Sequence, residues 1–453
     1  MADVEAIRQQ YREARTSGDF ETAARLAGQA WADAETRSAW DAWVLAFALR
    51  KLGKNHEAMV AARDGLALIA DQPAAAGAVG PRLVGEFGWA TYQSELKGSS
   101  RPEPARVAKA AAAVVRAWDR FNPGVPWASQ FCPVPIVVNR AMKLLKEAQA
   151  WALLAGLVDA TDGDRMPDDA MRAEEDRSER GEWTRAEAWY ASASRALLET
   201  GNHRGVIGLV RRSDARPVPL GDHCTRWLYF RAAKSALATR NPALADEFLS
   251  RTRNAGVREW WIDALSAEAA DLSGDSRAAE AHLARAFLAA DQRSVPPEYL
   301  CSALDSAASV LKEGRPELAQ RLRAIHRAVR ESHDWNIPAQ LEDAVPVAGD
   351  PNMELHALVP EWRQILRDST PRARGVVTRL ISEGSGFVRD TDGIDRYFAI
   401  PRGTAMPSWC TEGARVTFEP VMRMDQKAGV VKPAASDLEP DAPGDRSGTV
   451  AHG

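Results

Sequence analysis

Cysteine is scarce in this chain: Cys132, Cys224, Cys301 and Cys410 are the only four in 453 residues, and none has a paired spacing. That excludes a disulfide framework and a cysteine zinc site, and it predicts four reduced thiols, as in a cytoplasm. No run approaches the roughly eighteen apolar residues that a membrane span needs. The opening MADVEAIRQQYREAR is polar and helical, without the apolar core of a secretory signal. An excess of one charge is also missing. A formal net charge of −4 excludes a protein that coats nucleic acid by bulk electrostatics, so any such contact must be local. Catalytic signatures are absent as well: there is no Gly-x-x-x-x-Gly-Lys-Ser/Thr loop, no Gly-x-Gly-x-x-Gly after a strand and no His-Glu-x-x-His helix. The eight histidines are scattered, and none pairs with a cysteine or carboxylate at a telling interval. The expectation is a chain that is not an enzyme and uses no cofactor and no metal.

What is present is mostly helical periodicity. At 453 residues two or more domains are expected, and 45% hydrophobic with 26% charged residues is ordinary for a globular protein. In residues 1–72, Tyr11 and Ala14 lead to Gly18-Asp19-Phe20 and then Ala23, Ala24, Ala27 and Ala30. Leu45 and Leu49 lead to Leu52-Gly53 and then Ala58, Ala61, Ala62 and Leu66, and the two turn glycines are 35 residues apart. Glycine permits a tight turn between helices, and alanine lets their backbones approach. These hairpins resemble tetratricopeptide repeats, whose period is about 34 residues. Turn signals resume at Gly201-Asn202, Arg240-Asn241, Gly274-Asp275 and Gly314-Arg315, which predicts a helical-repeat solenoid over 171–345. A single hairpin cannot bury its apolar stripe, so neighbours must stack.

Between these blocks, 73–170 reads as an irregular helical region, with a helix over Val107–Phe121, a Pro-rich loop over Asn122–Pro135 and one long helix over Val137–Asp159. Asp162 to Arg185 holds Asp162, Asp164, Asp168, Asp169, Glu174, Glu175 and Asp176, and reads as a solvated helix start rather than a metal or partner site. The cluster Arg211, Arg212 and Arg216 reads as solvated loop arginines rather than phosphate ligands. Fourteen of fifteen tryptophans precede residue 370; Trp40, Trp43, Trp151, Trp189, Trp227 and Trp261 sit on helical stripes and read as packing between repeats. Residues 346–373 read as a Pro/Gly-punctuated linker with one short helix over Met353–Asp368. Residues 436–453, rich in Asp, Pro and Gly, read as a disordered tail.

Composition changes at 374–435. Short β-rich runs are expected at Val376–Leu380, Gly386–Arg389, Arg396–Ile400, Arg415–Glu419 and Gly429–Lys432, with a hairpin turn at Asp392-Gly393. Five short strands suit a small barrel, since closure removes exposed edges. If Val388, Phe398 and Ile400 point inward, period-two geometry turns Phe387, Arg389 and Tyr397 outward. Over 371–433 there are ten Lys/Arg against seven Asp/Glu, a local excess of positive charge.

The order Gly-x-Gly-Phe-Val, Asp-Gly, aromatic strand, Glu-Gly-x-x-Val-x-Phe-Glu resembles a cold-shock domain. That resemblance implies an OB-type barrel binding single-stranded RNA or DNA on outward aromatics of its second and third strands. The matching positions are Ser385 and Phe387 on the second strand and Tyr397 and Ala399 on the third, so two stacking groups are replaced by small residues. Arg379 stands where the family has a first-strand tryptophan. The fold class expected is thus an all-α helical-repeat solenoid followed by a small five-stranded OB-type β-barrel. The expected function is a non-enzymatic adaptor: the solenoid takes a protein partner, and Arg379, Phe387, Arg389 and Tyr397 take a single strand, weakly. The alternative is a protein-interaction scaffold without nucleic-acid binding.

Overall fold

A pair of short helices joined by a turn of two or three residues recurs in both halves of this chain. The structure, a computed structural model, describes residues 2–71, 77–97, 102–128, 132–169, 183–254, 259–369, 372–400, 406–425 and 430–441. It divides into two units, Met1–Ser235 and Ala236–Gly453. The first contains Ala2–Ser17 (α1) with Phe20–Ala32 (α2), Ala39–Lys51 (α3) with Asn55–Leu68 (α4), and Val79–Thr91 (α5), which a π-helical turn extends, with Pro104–Phe121 (α6). Val134–Glu147 (α7) with Trp151–Asp159 (α8) and Arg185–Glu199 (α9) with His203–Asp214 (α10) follow. Asp222–Ala238 (α11) runs across the division. The second unit goes on with Pro242–Asn254 (α12), Trp260–Leu272 (α13), Ser276–Gln292 (α14), Cys301–Val310 (α15), Pro316–Ser332 (α16), Pro351–His356 (α17) and Val359–Ser369 (α18). No helix among the described residues is long and apolar enough to cross a membrane.

The turns share one chemistry. Gly18, Gly53, Gly201 and Gly274 take φ of 83°, 76°, 72° and 78°, the left-handed region that costs glycine nothing. Each donates to a carbonyl three residues back, and the next residue reaches five back, as in Gly18 to Arg15 and Asp19 to Ala14. That next residue often caps the following helix: the side chains of Asp19, Asn202 and Asp275 accept from Thr22, Gly205 and Ala278. One residue ends a helix and the next starts another. Arg240 does the same at φ 54° without being glycine, and so does Gln149 at φ 53°. The long helix expected over Val137–Asp159 is therefore two, α7 and α8, because a left-handed Gln149 breaks it where no glycine marks the spot.

Alanine sets how closely the pairs stack. Ala23, Ala27, Ala42, Ala46, Ala58 and Ala62 are fully buried. The entry to α3 is fixed by Asp41, which is completely buried. It completes a capping box with Ser38, accepts from Tyr11 at 2.8 Å and binds the Arg8 guanidinium at 2.9 and 3.1 Å. Burial alone raises the Asp41 carboxyl; hydrogen bonds from Arg8, Tyr11 and Ser38 outweigh it and hold the group below the usual carboxylate range.

In the second unit one core joins α13 to α16, and the stretch expected as a linker belongs to it. Leu358, Trp362, Ile365 and Leu366 enter this core, and Trp362 stacks on Phe287 of α14 at 4.5 Å and 6°. Of the prolines that suggested a linker, Pro351 opens α17, where the missing N–H costs nothing, Pro346 lies between helices, and Pro371 is outside the described residues.

Five strands follow: Ala373–Ser382 (β1), Ser385–Asp390 (β2), Asp395–Ala399 (β3), Arg415–Asp425 (β4) and Val430–Pro440 (β5). Their hydrogen-bonded order β1-β2-β3-β5-β4 closes on itself through antiparallel β1–β4 pairing. Val377, Val388, Phe398, Cys410, Val416, Phe418 and Ala435 fill the interior. The fifth strand runs past residue 435, into the segment expected to be a tail, because β4 still offers partners: Thr417 lies opposite Glu439 and Val416 opposite Pro440. Leu438 packs on the interior, and Arg367 of α18 donates to Glu439 at 2.9 Å. Arg285 of α14 also pairs with Glu419 of β4. Residues 442–453 lie outside the described residues. All four cysteines are free thiols; Cys132, Cys224 and Cys410 are buried and Cys301 is half-buried.

Trp362→Ala should cost about 3–5 kcal/mol, since it removes a stacked, fully buried ring. Urea unfolding followed by circular dichroism measures it, and a loss under about 1 kcal/mol would mean that α18 is not a core helix. A second expectation concerns pH. His326 of α16 is buried, with Nδ1 3.0 Å from Asp305. Burial lowers its pKa, but the Asp305 carboxylate and the Cys301 thiol more than compensate and raise it to about 9. The folded value thus exceeds the unfolded one of about 6.5. The stabilisation is complete below that lower value and fades as pH rises through about 9. His326→Gln should flatten the stability–pH curve in that window; an unchanged slope would show the histidine is not charged in the fold.

Candidate nucleic-acid interface

The closed sheet places the expected residues by register. Arg379 of β1 lies opposite Phe387 of β2, and Phe387 lies opposite Tyr397 of β3. The three therefore form one row across three strands, on the face opposite Val377, Val388 and Phe398. A bulge between Val377 and Arg379 keeps Arg379 in this row, since regular alternation would turn it inward. The two rings meet edge to face, with centroids 5.8 Å apart at 69°. The Arg379 guanidinium lies 4.9 Å from the Phe387 centroid. Tyr397 is 38% exposed and Phe387 half-buried. The arrangement offers one open phenol ring, one ring under a guanidinium, and a cation with no carboxylate partner among the described residues.

Arg389 stands apart from this row. It shares a face with Val376 and Asp395, its register partners, and both its Nε and Nη2 donate to the Asp395 carboxylate at 2.9 and 3.0 Å. That pairing pushes the Asp395 carboxyl down and satisfies the charge expected to meet phosphate. Asp395 went unnoticed in the sequence because it belongs to the next strand; the hairpin turn that brings it round was the available signal. The turn is held by Asp390, which accepts from the backbone of Asp392 and Ile394 and pairs with Arg396 at 2.7 Å. Burial raises the Asp390 carboxyl, and these donors more than offset it, leaving it below the usual range.

Ser385 and Ala399, which replace the stacking groups of the cold-shock pattern, are register partners of each other, and Ser382 lies opposite Ser385. The departures thus form one shelf of small side chains beside the aromatic pair. Gly386, between the two rows, has no room for a side chain: a Cβ there would lie 2.4 Å from the Arg379 carbonyl oxygen and 2.9 Å from the Phe398 ring. Strand β1 and the Phe398 ring can both approach only because the position is glycine.

The two charged segments that read as solvated meet each other instead, within the first unit. Arg216 is almost wholly buried and binds Asp164 at 3.2 Å and Asp168 at 2.6 Å. Arg212 reaches Asp164 at 3.5 Å, and the Tyr190 hydroxyl donates to Asp164 at 2.5 Å. Among the described residues, Arg216, Asp164 and Asp168 thus spend their charges on one another. Glu174, Glu175 and Asp176 lie outside the described residues. Of the striped tryptophans, Trp189 is buried and donates to Thr161 at 2.8 Å, whereas Trp40 is 40% exposed.

Gly386→Ala should destabilise the sheet by about 1–3 kcal/mol through overpacking. A thermal scan reads this directly, and an unchanged transition would mean that β1 and β2 are not so closely apposed.

No protein-family model matches the chain, and no curated protein is similar to it. Among solved structures it is similar to a tetratricopeptide repeat protein from Parabacteroides merdae, at 12% identity over 67% of this chain and all of that one, with a TM-score of 0.25. Yeast Tom70 is similar at 11% identity over 80% of this chain and 85% of its own, with a TM-score of 0.24.

Proposed function

We propose that this protein is a non-enzymatic adaptor whose helical repeats hold a protein partner and whose β1–β3 face binds single-stranded RNA or DNA weakly by stacking. The observation that carries the reading is the cross-strand row Arg379–Phe387–Tyr397, where Phe387 lies between an exposed ring and a guanidinium that has no carboxylate partner among the described residues. Stacking a base on such a ring contributes about 1–3 kcal/mol, and a guanidinium stacks on bases or meets phosphate equally well. A closed five-stranded sheet supports the OB-type barrel that the cold-shock resemblance implies. Stacked helical hairpins supply extended surfaces suited to a peptide or a partner helix.

A protein scaffold without nucleic-acid binding is favoured by two specific observations: Asp395 already occupies Arg389, and the rings meet at an angle rather than as a flat two-base platform. The interface has room for about one base, so affinity and sequence preference are both low.

Titration of a labelled single-stranded oligonucleotide into the full chain separates the two. Tyr397→Ala should weaken binding by about 1–3 kcal/mol, and Phe387→Ala by less, because its face already carries Arg379. Arg379→Ala should flatten the salt dependence by about one phosphate contact, and Arg389→Ala should leave it nearly unchanged. Duplex should bind more weakly than single strand. Absence of binding at low salt, or binding untouched by the double aromatic substitution, selects the scaffold.

A further inference from the structure

Three of the four thiols are buried among apolar groups, and the fourth sits beside a histidine. Burial pushes the Cys132 and Cys224 thiols up to about 12 and raises Cys410 as well, which disfavours the thiolate that reacts. Cys301 is half-buried and opens α15, after a 3₁₀ turn over Pro297–Leu300. Its Sγ lies 4.0 Å from the Pro297 carbonyl oxygen. Asp305 follows four residues later, so the two side chains share one side of the helix, a turn apart.

Helix α16 packs on α15 and brings His326 to both residues. The ring is 1% exposed, and its Nδ1 lies 3.0 Å from Asp305 Oδ1. A carboxylate on Nδ1 fixes that nitrogen as a donor and leaves Nε2 to act on another group. Nε2 is buried and makes no hydrogen bond to nitrogen or oxygen among the described residues, and the remaining group that acts on the ring is the Cys301 thiol. Burial works against the charged ring, but Asp305 and Cys301 outweigh it, so His326 holds its second proton at neutral pH. A buried, charged N–H without an acceptor is costly, and a thiolate on that N–H satisfies it. The Asp305 side chain is 40% exposed, so the row of carboxylate, imidazole and thiol has a buried middle and partly open ends.

We propose that Cys301 is a covalent modification site: a nucleophilic thiol, paired with His326 and Asp305, that a small peroxide oxidises to the sulfenic acid. An imidazolium beside a cysteine favours the thiolate, the form that attacks. With hydrogen peroxide, the sulfur attacks one oxygen, and an S–O bond forms as the O–O bond breaks. Sulfur is oxidised by two electrons and the peroxide is reduced. The leaving hydroxide takes the Nε2 proton of His326, which gives the sulfenic acid and water. The neutral Nε2 left behind accepts from the sulfenic O–H. Half-burial of the thiol admits a reagent of few atoms and excludes a bulky one. The core shared by α15 and α16 holds no second cysteine among the described residues, so the product persists until an external thiol condenses with it.

The test uses the full chain, reduced, with two probes read by peptide mass mapping: iodoacetamide for the thiolate, and hydrogen peroxide followed by dimedone for the sulfenic acid. At neutral pH, Cys301 should be alkylated about tenfold faster in the folded chain than in the urea-unfolded chain, despite its partial burial. It should also take the dimedone label ahead of the other three cysteines. His326→Gln keeps a donor for Asp305 but removes the charge, and should slow alkylation of Cys301 about tenfold. Asp305→Asn should slow it less, and Cys301→Ser should remove the label. A folded chain whose Cys301 reacts no faster than in urea overturns the proposal, and that comparison needs no variant to fold. Dimedone labelling that falls on another cysteine first overturns it as well, and so does a rate that a folded His326→Gln leaves unchanged.

Discussion

A two-helix hairpin has more apolar surface than it can cover by itself, and the rest of this molecule follows from that shortage. The remedy is close stacking, which needs small residues at the contacts and a turn short enough to keep the helices together. Ala23, Ala27, Ala42, Ala46, Ala58 and Ala62 supply the first. The left-handed residue followed at once by a helix cap supplies the second, because it ends one hydrogen-bond ladder and begins the next within two residues. The same shortage draws α18 into the second core, since Trp362 has Phe287 to lie on.

Once the stacks form, charge pairing decides which surfaces stay open. Arginine is plentiful here, and several are paired with carboxylates: Arg8 on Asp41, Arg50 on Glu86, Arg216 on Asp164 and Asp168, and Arg389 on Asp395. Each of these satisfies a carboxylate and closes a region to outside anions. Arg379 on Phe387 and Arg15 and Arg82 on Trp43 lie over aromatic rings and have no carboxylate partner among the described residues. A ring positions a guanidinium without consuming its charge, which is the local logic of the Arg379–Phe387–Tyr397 row.

Much of this was legible from residue order. Hairpin turns at Gly18, Gly53, Gly201 and Gly274, the alanine stripes, and the outward placement of Phe387 and Tyr397 all follow from local rules: glycine's access to positive φ, the helical repeat and the two-residue strand repeat. These depend only on neighbours in the chain, so the sequence by itself determined them. Gln149 and Arg240 also turn the chain left-handedly, but their side chains do not announce it, and only one of the two turns could be read.

What tertiary structure alone decided is pairing between residues far apart in sequence. Asp162 to Asp169 and Arg211 to Arg216 each look solvated by themselves; folding brings Arg216 against Asp164 and Asp168 and buries it. Trp362 looks like part of a linker until Phe287, 75 residues earlier, lies flat against it. Ser436 to Pro440 looks like tail until β4 offers a ladder edge. Arg389 and Tyr397 look equivalent as site residues, yet the register gives one an aspartate and the other an open ring. Ion pairs, ring stacks and strand registers take their energy from partners that only the folded chain supplies, so the sequence determined which elements form, and the fold determined which of their charges remain free.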